Sequence, residues 1–448
     1  MSADDRPHVL LVNPWIYDFA AYDLWMFPLG LLHLARRLES VSRMSMLNLL
    51  ARDTAVPRRK ADRSITAAYG TGFFIKEPMA KPWCAGKYPE RIFFRYGLPP
   101  RFAERRLPRR CPDIILVTSG MTYWYRGVAE TIAWLRRFYP KTPLVLGGIY
   151  ATLCAEHARR HSGADEVVAG GAAASLSGLA RRYLGIELPM PDAWVFPQVE
   201  LLSVRSAVPL RLSEGCPFRC SYCASRQLAG EFRQCAPERA VEFVRACIER
   251  HGTRDFIFYD DALLYRAERL IKPFLTALAE SHLPARFHTP NGMHARYLDA
   301  ELAGLMRRAG FMTIRLSFDS AGDFFAQRSD GKVGREHLKA ALGYLTEAGF
   351  TKRQVGVYTL IGFPGQTPAM IREDMRFIRS LGARIELSSY ALVPGTGEWK
   401  DSLAAGLLSE ETDLLELGHT LFPVAHAGFP ADMLRGLRRE AAAWNRAP

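Results

Sequence analysis

The 448 residues contain no uninterrupted apolar run near the roughly 20 that a bilayer-spanning helix needs, so no membrane partner is expected. No secretory signal opens the chain either: Asp4, Asp5 and Arg6 lead straight into a strand-like segment, and the expected compartment is the cytoplasm. Repeats of 20 to 50 residues and low-complexity tracts are missing, which excludes solenoids and arrays. Cysteine is scarce, at eight in the whole chain, too few for a disulfide scaffold of this size. Disorder is excluded by a hydrophobic content of 48%.

Three of the eight cysteines crowd together as Cys216, Cys220 and Cys223, and such crowding in a reducing compartment points to a metal. Cys84, Cys111, Cys154, Cys235 and Cys247 are scattered and read as small packing residues. The net charge of +13 is local, because Arg52 to Arg110 holds 15 Lys or Arg against 5 Asp or Glu. Tyr69, Phe73, Phe74, Trp83, Phe93, Phe94 and Tyr96 interleave there. Nucleic-acid stacking, a solvated face and docking of an acidic electron donor such as flavodoxin or ferredoxin all account for this pattern, and nucleic acid is the least favoured of the three.

Strands are expected at His8 to Asn13, Met44 to Leu50, Ile114 to Thr118, Leu144 to Leu146 and Glu166 to Ala169, with amphipathic helices between them. This α/β alternation predicts an N-terminal doubly wound, Rossmann-like parallel sheet over residues 1–195. Residues 54–110 interrupt it as a basic, aromatic insertion without regular structure of its own. From Pro209 six further strand-like runs alternate with helices, predicting a partial (β/α)6 TIM-type barrel over 196–400 with functional groups at the strand C-terminal ends. Residues 401–448 read as a helical C-terminal tail.

The first of those six strands runs into Cys216-Pro-Phe-Arg-Cys220-Ser-Tyr-Cys223. Four thiolates normally complete a cubane cluster, and three leave one iron open. A structural zinc site is the competing reading, but no fourth ligand stands at ordinary finger spacing, since Cys235 is the next cysteine and His251 is farther on. The spacing Cys216-x3-Cys220-x2-Cys223, with Tyr222 before the last cysteine, resembles the signature of radical S-adenosylmethionine (SAM) enzymes. That resemblance implies a 4Fe-4S cluster whose open iron chelates SAM, and reductive cleavage to a 5′-deoxyadenosyl radical. It also implies a SAM-binding shell. Tyr222 belongs to it, as do Tyr259, Asp260 and Asp261 at the end of the second strand, with capping of the next helix as the alternative for the carboxylates. Ser317 and Asp319 follow at the fourth strand, where relatives often carry a longer Glu. Gly362, Phe363, Pro364 and Gly365 would lie on the adenine side, with a plain tight turn as the alternative.

The first half resembles the cobalamin-binding domain that often precedes this core, through Asn13-Pro14 after strand one, Ser119-Gly120 after strand three and Gly147-Gly148 after strand four. Asn13, Pro14, Trp15, Ser119, Gly120, Met121, Thr122, Gly147 and Gly148 are the implied cobalamin contacts. Tyr17, Tyr22 and Trp25 could join Trp15 in walling a flat cofactor, or could simply pack a core. The Asp-x-His-x-x-Gly pattern that supplies an axial histidine is absent, and His33 reads as a structural residue inside a helix. The resemblance implies methyl transfer to an unactivated centre of a small molecule. A radical SAM enzyme without cobalamin, a tRNA-modifying enzyme and a non-catalytic iron-sulfur protein are the alternatives. His288, Asn291, His294, Arg315 and Tyr358 are candidate substrate contacts at strand ends, or else buried hydrogen-bonding residues.

Overall fold

The computed structural model describes residues 6–52, 68–86, 88, 90–188, 194–318, 325, 328–331 and 333–446. The chain divides into two compact units, 1–204 with 413–420, and 205–412 with 421–448. The division differs from the expected 1–195, 196–400 and 401–448, because residues 413–420 leave the tail to join the first unit.

The strands of the first unit are β1 (His8–Asn13), β2 (Ile16–Asp18), β3 (Arg43–Asn48), β4 (Lys76–Met79), β5 (Phe93–Tyr96), β6 (Ile114–Val117), β7 (Leu144–Leu146) and β8 (Glu166–Val167). Five of them form a parallel sheet in the order β3-β1-β6-β7-β8. The order reverses at β1, and in such sheets ligands bind outside the strand ends at that switch point. Every residue of β1 is buried, as its unbroken apolar run requires. Val9 and Leu11 pack with Leu31, Ala35 and Leu38 of the helix Leu29–Leu38, which contains His33 as expected. Each Val or Leu among them contributes about 1.5–3 kcal/mol by leaving water.

The insertion is not structureless. Strands β4 and β5 pair with β2 in an antiparallel sheet ordered β2-β5-β4. Its basic and aromatic side chains engage one another: Lys76 lies over Phe94 at 4.4 Å, Arg91 over Phe19 at 4.7 Å and Arg95 over Trp15 at 5.3 Å. Cation–π contacts of this kind contribute about 0.5–1 kcal/mol each. The interleaving that suggested a nucleic-acid surface therefore has an internal use. Residues 53–67 of the insertion lie outside the described residues.

The second unit contains β9 (Ala207–Leu210), β10 (Ser213–Glu214), β11 (Arg233–Gln234), β12 (Asp255–Phe258), β13 (Arg286–His288), β14 (Met293–His294), β15 (Phe311–Ser317), β16 (Val355–Ile361) and β17 (Arg384–Ser389). Six parallel strands follow one another in sequence order, β9-β12-β13-β15-β16-β17, with helices Pro237–His251, Ile271–Ser281, Ala300–Ala309, Arg335–Glu347 and Pro368–Ser380 in the connections. This is the partial (β/α)6 barrel that the alternation predicted. Helix Ala431–Arg446 closes the outer edge of the sheet: Asn445 Oδ1 accepts from Ile385 N at 2.9 Å, and Asn445 Nδ2 donates to Ile385 O at 2.8 Å. One side-chain amide thus stands in for a neighbouring strand and covers an edge open to pairing. Among the described residues, no helix is long and apolar enough to cross a membrane.

Candidate active site at the three-cysteine loop

The cysteine loop leaves the carboxyl end of β9 and is closed at its base by the antiparallel pair β10 and β11. Glu214 forms ion pairs with Arg211 and Arg233 across that base. Gly215, at φ 77°, permits the turn into Cys216, and a Cβ there would lie 2.9 Å from Glu231 O. Cys216 and Cys220 are partly buried and Cys223 is exposed. All three line a cavity of about 470 Å³ together with Arg219, Ser225, Arg226 and Gln227.

The loop is fixed from the carboxyl end of β17. Glu398 is 5% exposed, and its Oε1 accepts from Ser221 Oγ at 2.6 Å. The Glu398 backbone N–H donates to Ser221 O at 3.1 Å, and Arg328 Nε lies 3.3 Å from Glu398 Oε1. Gln227 Nε2 donates to Gly395 O at 2.9 Å. Gly397 packs tightly on the loop, since a Cβ would lie 3.2 Å from Ser221. Tyr222 packs edge-on against Phe325 and Phe363, and Phe363 in turn meets Tyr390 at 4.4 Å. Glu398 and Tyr390 carry no motif and were missed in the sequence. The only signal was the Val393-Pro-Gly-Thr396 turn just ahead of Glu398.

The donor set suits a cluster better than a single ion. Tetrahedral zinc, with Zn–S bonds near 2.3 Å, draws its sulfurs to within about 4 Å of one another. Among the described residues, only Glu268, Asp299 and Glu301 bring three ligand atoms within 4.8 Å, so the three thiols stand wider apart than one ion requires. Those three carboxylates surround Lys272 Nζ at 2.6, 2.9 and 2.6 Å, and an ammonium already serves them. Ser225 N donates to Cys223 Sγ at 3.5 Å, the kind of contact that stabilises a thiolate. Burial pushes the Cys84, Cys154 and Cys235 thiols up to about 12, which leaves them protonated and inert.

Several of the expected contact residues also engage the protein itself. Asp260 is buried and accepts from Ser213 N at 2.5 Å, Ser213 Oγ at 2.6 Å and Leu212 N at 3.0 Å. It therefore anchors the approach to Cys216, and burial pushes its carboxyl up to about 7. Tyr259 N donates to Leu210 O, and Asp261 is exposed. Gly362, at φ 79°, faces Pro423, which a Cβ would approach to 2.4 Å, so its missing side chain accommodates that proline. Gln366 Oε1 accepts from Gly362 N and Phe363 N and holds the turn through Pro364 and Gly365. Ser317 is buried at the end of β15, and Asp319 lies outside the described residues. His288 is fully buried, with Nδ1 3.0 Å from Thr313 Oγ1 and Nε2 3.0 Å from Asp255 Oδ1, so both nitrogens are engaged. His294 is likewise buried, against Phe218. Asn291 is exposed, its Nδ2 3.5 Å from Asp260 O. Arg315 and Tyr358 come together beside Glu386.

At the switch point of the first unit the pattern is similar. Trp15 is buried and donates from Nε1 to Leu98 O at 2.7 Å, the arrangement that the core-packing alternative describes. Asn13, next to Pro14, donates to Asn48 Oδ1 at 2.8 Å. Ser119 Oγ donates to Gly147 O at 2.6 Å, and a Cβ on Gly148 would lie 2.5 Å from Ser119 O. A Cβ on Gly120 would meet Trp124 at 3.1 Å, and Thr122 is buried. Asp18, beneath Trp124, accepts from Trp124 Nε1 at 2.9 Å and Thr420 Oγ1 at 2.7 Å. An accessible lip remains: Met121 is 44% exposed, and a Cβ on Gly147, Gly170 or Gly171 would meet nothing within 4 Å.

A barrel carrying three cysteines after its first strand defines a class, and the comparisons agree with it. Residues 210–378 match the family model of the Radical SAM superfamily. The chain is 26% identical over 182 residues to the anaerobic magnesium-protoporphyrin IX monomethyl ester cyclase of Cereibacter sphaeroides, covering 40% of this chain and 28% of that protein. It is 24% identical over 234 residues to an uncharacterized methyltransferase of Pyrococcus horikoshii, covering 50% and 48%. The chain thus spans less than half the length of either relative.

Among solved structures, the radical SAM methyltransferase TsrM of Kitasatospora setae, with tryptophan substrate and a SAM analog bound, matches with a TM-score of 0.63 at 17% identity, over 89% of this chain and 76% of that one. The cobalamin-dependent SAM radical enzyme OxsB, with aqua-cobalamin bound, matches with a TM-score of 0.56 at 13% identity, over 92% and 56%. Residues 210–378 thus carry a Radical SAM domain, and the fold of the chain resembles that of these two enzymes.

Proposed function

We propose that this chain holds a 4Fe-4S cluster on Cys216, Cys220 and Cys223, binds SAM at the open iron and, with cobalamin in the first unit, methylates an unactivated centre of a small molecule. The observation that carries the reading is three thiols lining one cavity, with no other cysteine or histidine in its wall among the described residues. When bound, the cluster supplies the electron that splits the sulfonium of SAM, and cobalamin supplies a methyl carrier. The protein's part is positioning. Glu398 and Gln227 fix the loop, Tyr222 wedges it against Phe363, and Asp260 fixes the strand end that precedes it. Arg219 and Arg226 place positive charge at the cavity mouth, which suits the carboxylate of SAM and an acidic electron donor such as flavodoxin or ferredoxin.

The lip formed by Met121, Gly147, Gly170 and Gly171 fits one edge of a flat cofactor. The internal engagement of Trp15, Ser119 and Gly148 favours a second reading, the same radical chemistry without cobalamin. Titration with hydroxocobalamin separates the two. Stoichiometric binding with a shifted corrin absorbance is expected, and absence of binding would favour the second reading. Turnover under anaerobic conditions tests the reaction: S-adenosylhomocysteine and 5′-deoxyadenosine are the expected products, and absence of both would refute it.

A further inference from the structure

Strand alternation gives β15, β16 and β17 two unlike faces. Ile314, Leu316, Val357, Ile361 and Ile385 are fully buried on one face, against which helices Ala300–Ala309 and Pro368–Ser380 pack. Arg315, Tyr358 and Glu386 stand half-buried on the other, the inner face of the partial barrel. The register pairs Arg315 with Gly356, and Tyr358 with both Ser317 and Glu386. Gly356 makes the cluster possible, because a Cβ there would lie 2.9 Å from Glu386 Cγ and 3.1 Å from Arg315 Cδ. Its missing side chain lets the opposite charges meet.

They meet loosely. Arg315 Nη1 donates to Ile314 O at 3.0 Å, while Nη2 stays 3.5 Å from Glu386 Oε1, beyond the 2.7–2.9 Å of a charge-assisted hydrogen bond. Arg384 Nε lies 3.3 Å from the same oxygen without hydrogen-bond geometry. Glu386 Oε1 is thus buried and accepts no hydrogen bond among the described residues. A buried acceptor left unmade costs roughly 1–3 kcal/mol, and the Glu386 side chain remains 26% exposed to a donor from outside.

We propose that Arg315, Tyr358 and Glu386 form the substrate-binding patch of the barrel and recognise a free α-amino acid, with its carboxylate on Arg315 and its ammonium on Glu386. The proposal rests on the radical SAM reading above and names its substrate class. A phosphate or simple acid would satisfy Arg315 but be repelled by Glu386, and a simple amine would do the reverse. A ligand that carries both charged groups on one carbon serves the two side chains together. The Tyr358 hydroxyl adds a neutral donor beside them.

Equilibrium dialysis of cluster-reconstituted, full-length protein with each of the common amino acids tests this, with the decarboxylated and N-acetylated forms of each as controls. At least one amino acid should bind saturably, and both controls should bind at least tenfold more weakly. Arg315→Met should abolish discrimination against the decarboxylated form, and Glu386→Gln discrimination against the N-acetylated form. The change in the cluster spectrum on adding SAM, measured on the same samples, reports that each variant is folded. Saturable binding that survives both substitutions, or no binding by any amino acid while the SAM response persists, overturns the substrate class and leaves the radical reading intact. Loss of the SAM response in the unmodified protein overturns both.

Discussion

Asp260 shows how a residue can be placed by the sequence while its bonding partners are not. It ends the second barrel strand as expected, yet its carboxyl turns back onto Leu212 and Ser213 and rises to about 7 through burial. A folded-state value above the unfolded one means that stability is fully present below about pH 4 and falls as pH climbs toward 7. Asp260→Asn should therefore flatten the dependence of the melting temperature on pH between 4 and 7, and an unchanged slope would count against this assignment.

Glu398 has the opposite history, invisible in the sequence and central in the structure. Glu398→Ala removes the acceptor of Ser221 Oγ, a loss of about 1–3 kcal/mol in a buried setting. Cluster retention under limiting iron should fall roughly tenfold, with Glu398→Gln restoring most of it, as read from iron per chain. The cysteines were legible because their spacing is a local pattern. Glu398 was not, since 177 residues separate it from Ser221. For His288 the sequence left substrate contact and buried hydrogen bonding both open, because a strand position does not reveal that Asp255 and Thr313 engage both ring nitrogens.

Elements were read more accurately than residues. The six barrel strands and β1, β3, β6, β7 and β8 stand where the sequence indicated, most sharply at β1, β6, β7, β9 and β12, because a strand buried on both faces leaves a continuous apolar signature. The sheet β2-β5-β4 was missed, since its strands carry Lys76, Glu77 and Arg95 and contain Pro78, so their pairing depends on partners far along the chain. Close contacts between elements were also hidden. Gly127 sits where a Cβ would come within 2.0 Å of Trp15 O, so Gly127→Ala should displace the helix Tyr125–Arg136 and lower the stability of the first unit by several kcal/mol in chemical denaturation. Asn445 replaces a neighbouring strand with two hydrogen bonds, each contributing about 0.5–1.5 kcal/mol. Asn445→Ala should speed amide exchange at Ile385 by roughly tenfold or more, leaving β9 and β12 unaffected.

At the scale of the whole molecule, two α/β units follow from the strand-helix alternation, but their membership does not. Asp413 accepts from Tyr125 Oη at 3.0 Å and Arg126 Nη2 at 2.7 Å inside the first unit, while residues 421–448 complete the second. Truncation after residue 412 should therefore lower the stability of both units, seen as two weakened transitions in calorimetry. Composition and periodicity carry no record of such long-range exchange. The central claim is that Cys216, Cys220 and Cys223 together hold a cluster with one iron open to SAM. Its most direct test is the electron paramagnetic resonance spectrum of the reduced, reconstituted protein before and after SAM is added. A 4Fe-4S signal that changes on addition, and that is lost when any one of the three cysteines is replaced by alanine, is the predicted result. A signal indifferent to SAM, or one that survives those replacements, would contradict the account.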